Sequence, residues 1–377
     1  MSRAFQSRVA PPEPAVPLVE ELTPAPDPWE VARRLAHLPH LLFLDSATEH
    51  PLLGHYSFVT ADPFDRLWAR GCQAGDPFAV LAVKLAQWKA ESVAALPPFQ
   101  GGAAGLFGYD LCHHIERLPR PRRDEFQAPD MAVGFYDWVV GFDHTEGRAW
   151  LVSTGLPEAD GPRRRDRAAK RLAWVRGLLS GEPAAPPLPR RPSLPRAAVW
   201  APGTLPDFPA VRSSFDRAGY LAAVRRAIDY IRAGDCFQVN LAQRLLHPAT
   251  LPALELYRRL RERNPAPFAG YFDTGDFAVA SASPERFVRV EGGEVETRPI
   301  KGTRPRGATP EEDRRRADEL LRSAKDRAEN VMIVDLLRND LGRVCAYGSV
   351  RVEAVCRLET YRHGHHLVSE VRGRLRE

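Results

Sequence analysis

The stretch from Phe277 to Ser369 constrains the fold of this chain more than any other, because strand-like and helix-like segments alternate there around one short turn, Arg298-Pro299-Ile300-Lys301-Gly302-Thr303. Val295 to Ile300 reads as a β-branched strand, and Gly302 releases the backbone after it. Lys301 is thereby expected at a strand end, where side chains meet ligands. Lysine is scarce: five of the 53 basic residues are Lys (84, 89, 170, 301 and 325), so Arg serves almost wherever a fixed charge is enough. Arg keeps its proton in a protein, whereas Lys can lose it and attack carbon. Lys301 is therefore a candidate nucleophile, set against the plainer reading of a surface Lys. To attack, it must fall ~2–3 units from a reference pKa of about 10.4, at a cost of about 3–4 kcal/mol. Burial, with Arg298 and Arg304 close by, is the expected source.

Upstream, Ser283-Pro284-Glu285-Arg286-Phe287 lies between two strand-like runs, with Pro284 excluding regular helix, and Glu285 is expected as a hairpin partner of Lys301. Downstream, Thr309-Pro310-Glu311-Glu312 is a capping box that starts a helix running to about Ala324. A second helix is expected from Lys325 to about Leu341, ending at Gly342, with Glu329, Ile333, Leu336 and Asp340 at helical spacing and Glu329 flanking an apolar stripe. Earlier, Asp216 to Ala233 has helical periodicity and a C-terminal cap at Gly234. Phe237 to Leu245 alternates like a strand, with Gln238 and Asn240 on one face; such amides either line a polar pocket or meet water.

Residues 1–28 read as a flexible, Pro-rich tail without signal-peptide character. A first region, 29–180, contains helices at Trp29–Leu38, Ala79–Ala94 and Asp160–Ser180. Its strands are expected at Leu41–Ser46, Tyr56–Thr60, Met131–Phe142 and Arg148–Ser153. A Pro-rich linker, 181–214, precedes the second region, 215–377. No apolar run approaches the ~20 residues of a membrane span, which leads us to expect a cytoplasmic protein with no membrane role. Five cysteines, odd in number and without a C-x-x-C pair, read as reduced thiols. The net charge of +5 comes from Arg clusters interleaved with acids, such as Arg314-Arg315-Arg316, which suits solvated helix faces better than nucleic-acid binding.

Five blocks in order, Ala233 to Arg244, Ser283 to Phe287, Arg298 to Thr303, Glu329 to Asp340 and His366 to Ser369, resemble the chorismate-utilising enzymes, and the likeness runs from about Leu41 to the end. Isochorismate- and salicylate-forming relatives carry Lys at the Gln238 position, and anthranilate-forming relatives carry Ala at the Lys301 position. Gln238 together with Lys301 therefore resembles the branch that makes 4-amino-4-deoxychorismate for para-aminobenzoate and folate. The resemblance implies an α+β fold of two packed, mostly antiparallel sheets flanked by helices. It implies that Lys301 adds to C2 of chorismate as the 4-hydroxyl leaves, and that ammonia then enters at C4 and expels the Lys amine. Glu285 would be the acid, His366 would lie near the ring, Gln238, Asn240 and Thr303 would bind substrate, and Glu329 would hold Mg2+. Ammonia would come from a separate glutaminase subunit, because this chain has no Cys-His glutaminase signature. Asp45, Ser46 and Tyr56 fall where relatives hold tryptophan, although Asp45 replaces the usual Glu.

Two further departures concern the end of the chain. Gly364 and His365 stand where bulkier apolar residues usually lie, and His363, His365 and His366 lack convincing zinc spacing. The family's closing section, with further groups for the substrate carboxylates and for magnesium, is missing after the His366 strand, so a fragment or one half of a split protein is expected. Anthranilate formation and a truncated, non-catalytic subunit retaining only partner or tryptophan binding are the alternative readings.

Overall fold

Aromatic and β-branched runs in the first region fold as antiparallel ladders because each has a neighbour to satisfy its backbone groups. A computed structural model describes residues 16–48, 53–71, 75–121, 123–181, 201–361 and 364–376. Residues 1–15 of the expected tail, 182–200 of the expected linker, Cys72 and His363 lie outside the described residues. The largest sheet has seven antiparallel strands in the order Leu18–Glu21, Arg148–Ser153, Trp138–Asp143, Tyr56–Thr60, Leu42–Asp45, Phe268–Asp273 and Ala278–Ser283. Leu42 and Phe43, successive residues of one strand, point to opposite faces. Phe43 joins the core under the helices Pro28–Arg34, Gly161–Ser180 and Ala253–Arg263. Leu42 and Phe272 meet Ala132 and Tyr136 of a three-stranded sheet made by Asp65–Ala69, Met131–Tyr136 and Gly102–Phe107.

The run from Met131 to Phe142 is thus two strands in different sheets, and the corner between them is Asp137, whose side chain is fully buried. Arg171 donates to its Oδ1 at 3.0 Å and Arg167 lies 3.2 Å from its Oδ2. Because Phe268–Asp273 and Ala278–Ser283 complete the seven-stranded sheet, that sheet draws strands from both sides of the expected linker. Part of the linker itself is ordered: Gly203–Leu205 and Phe208–Ser213 pair with each other, and the latter also pairs with Leu245–Leu246.

The Phe277–Ser369 stretch feeds a second large sheet of five strands. Gly364–Arg374 is its centre: Glu294–Thr297 and Ile300–Pro305 pair with it, as does Arg351–Tyr361, and Arg289–Glu291 pairs with Glu294–Thr297. Helices Pro310–Arg322 and Ala324–Val344 lie against this sheet. The first begins as expected, with Thr309 Oγ1 accepting the Glu312 N–H at 3.2 Å and Pro310 in the first turn. The second differs from expectation: Ser323 caps it, it runs through Gly342 to Val344, and its buried residues are Asn330, Val334 and Leu341 rather than the Ile333 and Leu336 face. The α+β class with antiparallel sheets and flanking helices holds, with four sheets among the described residues. No helix among them is long and apolar enough to cross a membrane.

Candidate active site

Lys301 occupies a β-bulge. Ile300 pairs with Val368 and Thr303 with His366, so Lys301 and Gly302 together oppose a single residue of the partner strand, and the register shifts between them. Gly302 makes this possible. Its φ is +86°, and a Cβ there would come within 2.8 Å of Asp326 Cβ and 3.0 Å of Leu320 Cδ1. Lys301 is half-buried, and among the described residues it makes no hydrogen bond or ion pair. The guanidiniums expected to act on it are engaged elsewhere. Arg298 is bound to Glu359, and Arg304 binds Glu319 at 2.8 Å and Asp326 at 3.2 Å, so their charge toward Lys301 is largely compensated.

Glu285 is not a ladder partner of Lys301, because the strand before it, Ala278–Ser283, belongs to the seven-stranded sheet. It reaches the site from the loop instead: its Oε1 accepts the Ile300 N–H at 3.0 Å, which tethers it one residue before Lys301. On the other side, Thr303 Oγ1 and His366 Nδ1 are 3.0 Å apart, and the Tyr361 ring meets the His366 ring edge to face at 5.0 Å. Burial pushes the His366 imidazole below its ordinary pKa, and Glu359 opposes that. Glu285, Arg298, Ile300 and Tyr361 line a shallow surface cleft together with Leu53 and Phe268, so residues of both large sheets meet there, while Lys301 and His366 are not among its lining residues.

His365 turns away from this group. It is buried, with Nδ1 2.9 Å from Thr360 Oγ1 and Nε2 2.9 Å from Asp313 Oδ1. Gly364 is equally constrained, since a Cβ there would lie 2.9 Å from the Arg304 carbonyl oxygen.

Gln238 and Asn240 are not brought to the site. Only Leu245–Leu246 of their segment forms a strand; both amides are exposed, and Phe237 is 89% exposed. Alternation without a neighbouring strand has no ladder to join. Glu329 lies on the Ala324–Val344 helix, with Oε1 3.8 Å from the Lys325 ammonium. Magnesium takes one or two carboxylates and keeps waters or substrate oxygens. Glu329 would be one such carboxylate, but no group of three His, Cys, Asp or Glu side chains converges among the described residues.

Asn330, beside it, was missed by sequence reasoning. Fully buried, it donates to the Leu367 carbonyl at 3.1 Å and accepts from the Ser369 hydroxyl, which in turn accepts the Cys356 N–H at 2.9 Å. This bond set fixes the Glu329 helix against the His366 strand. The signal was a polar residue on the inward side of an otherwise apolar helix face.

Asp45, Ser46 and Tyr56 do lie together. Ser46 Oγ donates to the Tyr56 carbonyl at 2.5 Å, but buried Asp45 is already met by Tyr257 Oη at 2.8 Å and Arg261 Nε at 2.6 Å.

A family model described as chorismate binding enzyme matches residues 40–377. A Thermus thermophilus protein named anthranilate synthase component 1 is 46% identical over 282 residues, 75% of this chain and 56% of that protein. A Klebsiella aerogenes protein named aminodeoxychorismate synthase component 1 is 42% identical over 278 residues, 74% of this chain and 55% of that protein. The crystal structure of anthranilate synthase component I from Streptococcus pneumoniae TIGR4 superposes with a TM-score of 0.66 at 28% identity, covering 87% of this chain and 70% of that one. The chain spans just over half the length of these two curated relatives.

Proposed function

The chain belongs to the chorismate-binding enzyme family, and from that membership we propose that it carries the chorismate-aminating part of an aminodeoxychorismate synthase, component I, using ammonia delivered by a glutaminase subunit. The observation that carries this reading is Lys301 itself. It is a half-buried amine without an acidic partner among the described residues, in a bulge opened by Gly302, with tethered Glu285 on one side and the Thr303–His366 pair on the other.

In this reading the neutral amine of Lys301 forms a bond to C2 of chorismate while the C4–O bond breaks. The hydroxyl leaves as water with a proton from Glu285. Ammonia then bonds to C4 as the C2–N bond breaks, and the Lys amine is restored. Thr303 orients His366 beside the ring. Magnesium belongs to the proposal through Glu329, where it would neutralise a substrate carboxylate.

The test is Lys301→Ala with chorismate, ammonium and magnesium. Aminodeoxychorismate formation is expected to fall on the order of a thousandfold or more, and survival of that activity rules out the covalent route. Likeness to the Thermus protein favours a second reading, anthranilate formation. Chromatography of the products separates the two, since only that reading releases pyruvate and an aromatic amine from the purified chain.

A further inference from the structure

Glu359 is the hub of an ion network in the sheet that carries Lys301. Its carboxylate is buried; Oε1 accepts from Arg298 and, at 2.9 Å, from Arg357. The network continues through Glu370, 3.6 Å from Arg357 and 3.8 Å from Arg298, to Arg372 at 2.6 Å. From Glu359 a bond leads toward His366: Oε2 accepts the Tyr361 hydroxyl at 2.8 Å. The Tyr361 ring stands against the His366 imidazole at an interplanar angle of 82°, and Glu359 is the register partner of His366 on the adjacent strand. With Nδ1 of His366 held by Thr303, Nε2 is the nitrogen left to exchange a proton.

We propose that Glu359, acting through Tyr361, is a positioning residue for His366: it anchors the tyrosine ring against the imidazole and sets its own carboxylate behind that ring, on the strand beside His366. This rests on the reading of His366 as a site residue. The titratable groups around it are Glu359 and Tyr361 on the Arg351–Tyr361 strand and His365 on its own strand. Uncharged Thr303 is opposite, with Lys301 in the bulge of that same strand, and Asp313 of the overlying helix is bound to His365. Of the neighbouring charges, Glu359 favours the imidazolium and His365 opposes it. Both guanidiniums bind Oε1, so the Tyr361 hydroxyl is the donor that meets Oε2 of this buried carboxylate, and the same bond fixes the ring that faces His366.

The experiment is an NMR titration of His366 in protein labelled with ¹⁵N-histidine, the resonance being assigned by its loss in His366→Gln. It needs no substrate, so its result stands apart from which reaction the chain performs. In Glu359→Gln the His366 midpoint is expected to drop by about half a pH unit or more; an unchanged midpoint in the folded variant overturns the proposal. That variant leaves Arg298 and Arg357 facing a neutral amide, and where it does not fold, Tyr361→Phe decides. This second variant keeps the ring and removes only its anchor. The carbon-bound ring protons of His366 are expected to lose their ring-current shift and move toward free-imidazole positions, and resonances that stay at wild-type positions overturn the proposal.

Discussion

The two large sheets are built on different physics. In the seven-stranded sheet, Trp138–Asp143 is buried at all but its last residue and Leu41, Phe43, Val59 and Leu151 are nearly inaccessible, so cohesion comes from apolar area removed from water. In the five-stranded sheet, Arg286, Glu296, Arg372, Glu370, Arg357, Glu359 and Arg298 form a chain of paired charges, and the strand Arg351–Tyr361 buries only Cys356 and Glu359. The first sheet makes each buried charge a structural liability that must be matched. The second matches its buried charges, Arg298, Glu359 and Glu370, with one another across strands, and it is there that half-buried Lys301 stands without a partner among the described residues.

Breaking a charge in the first sheet should therefore have the largest effect on stability. Arg171→Leu leaves the fully buried Asp137 with only Arg167, and urea unfolding is expected to show a loss of about 3 kcal/mol. The loss should depend on pH. Burial already raises the Asp137 pKa above its ordinary 3.8, opposed by Arg171. A carboxyl with a raised folded pKa holds its proton longer in the folded state, so its contribution is full below the ordinary value and is lost as pH rises through the folded one. Removing Arg171 raises the folded pKa further. The variant should recover most of its stability near pH 4, and a pH-independent deficit would contradict the liability.

A smaller effect separates backbone demands in the two sheets. Gly302→Ala places a Cβ at positive φ and within 2.8 Å of Asp326 Cβ, and should cost about 2 kcal/mol, together with the proposed activity on chorismate. Gly270→Ala in the other sheet, where the nearest atom is the Phe43 carbonyl oxygen at 3.4 Å, should cost under about 1 kcal/mol. Equal thermal midpoints for the two variants would remove the case for a bulge specific to Lys301.

What could be read from the sequence follows the range of the forces involved. Local signals were sufficient for the Thr309–Pro310 start and for Asp216, whose Oδ1 accepts the Gly219 N–H at 2.7 Å, with Gly234 at φ +81° closing the same helix. Lysine scarcity singled out Lys301, and family likeness supplied His366 and Thr303, which the fold brings within 3.0 Å of each other. Arg298 and Glu359, 61 residues apart, and Asn330 and Ser369, 39 apart, left no local trace, because a pair across strands depends on register. The alternation of Phe237 to Leu245 misled for a related reason: periodicity describes which faces a strand would have, not whether another strand lies beside it.

The smallest expected effect on stability tests the least constrained member of the site. Glu329 and Lys325 form an i,i+4 pair at 3.8 Å with side chains 42% and 82% exposed, so solvent screens most of their attraction. Glu329→Gln should leave the unfolding free energy within about 0.5 kcal/mol of wild type. If Glu329 is the protein's ligand to magnesium, the same substitution raises the metal concentration needed for half-maximal chorismate consumption by roughly tenfold, the scale of loss when a group supporting a metal site is removed. Lys325→Gln, which removes the other half of the pair, should leave that concentration unchanged or lower it, because the competing ammonium is gone. A magnesium requirement that moves equally in both variants would mean that the ion pair, and not the carboxylate, is what the metal titration detects.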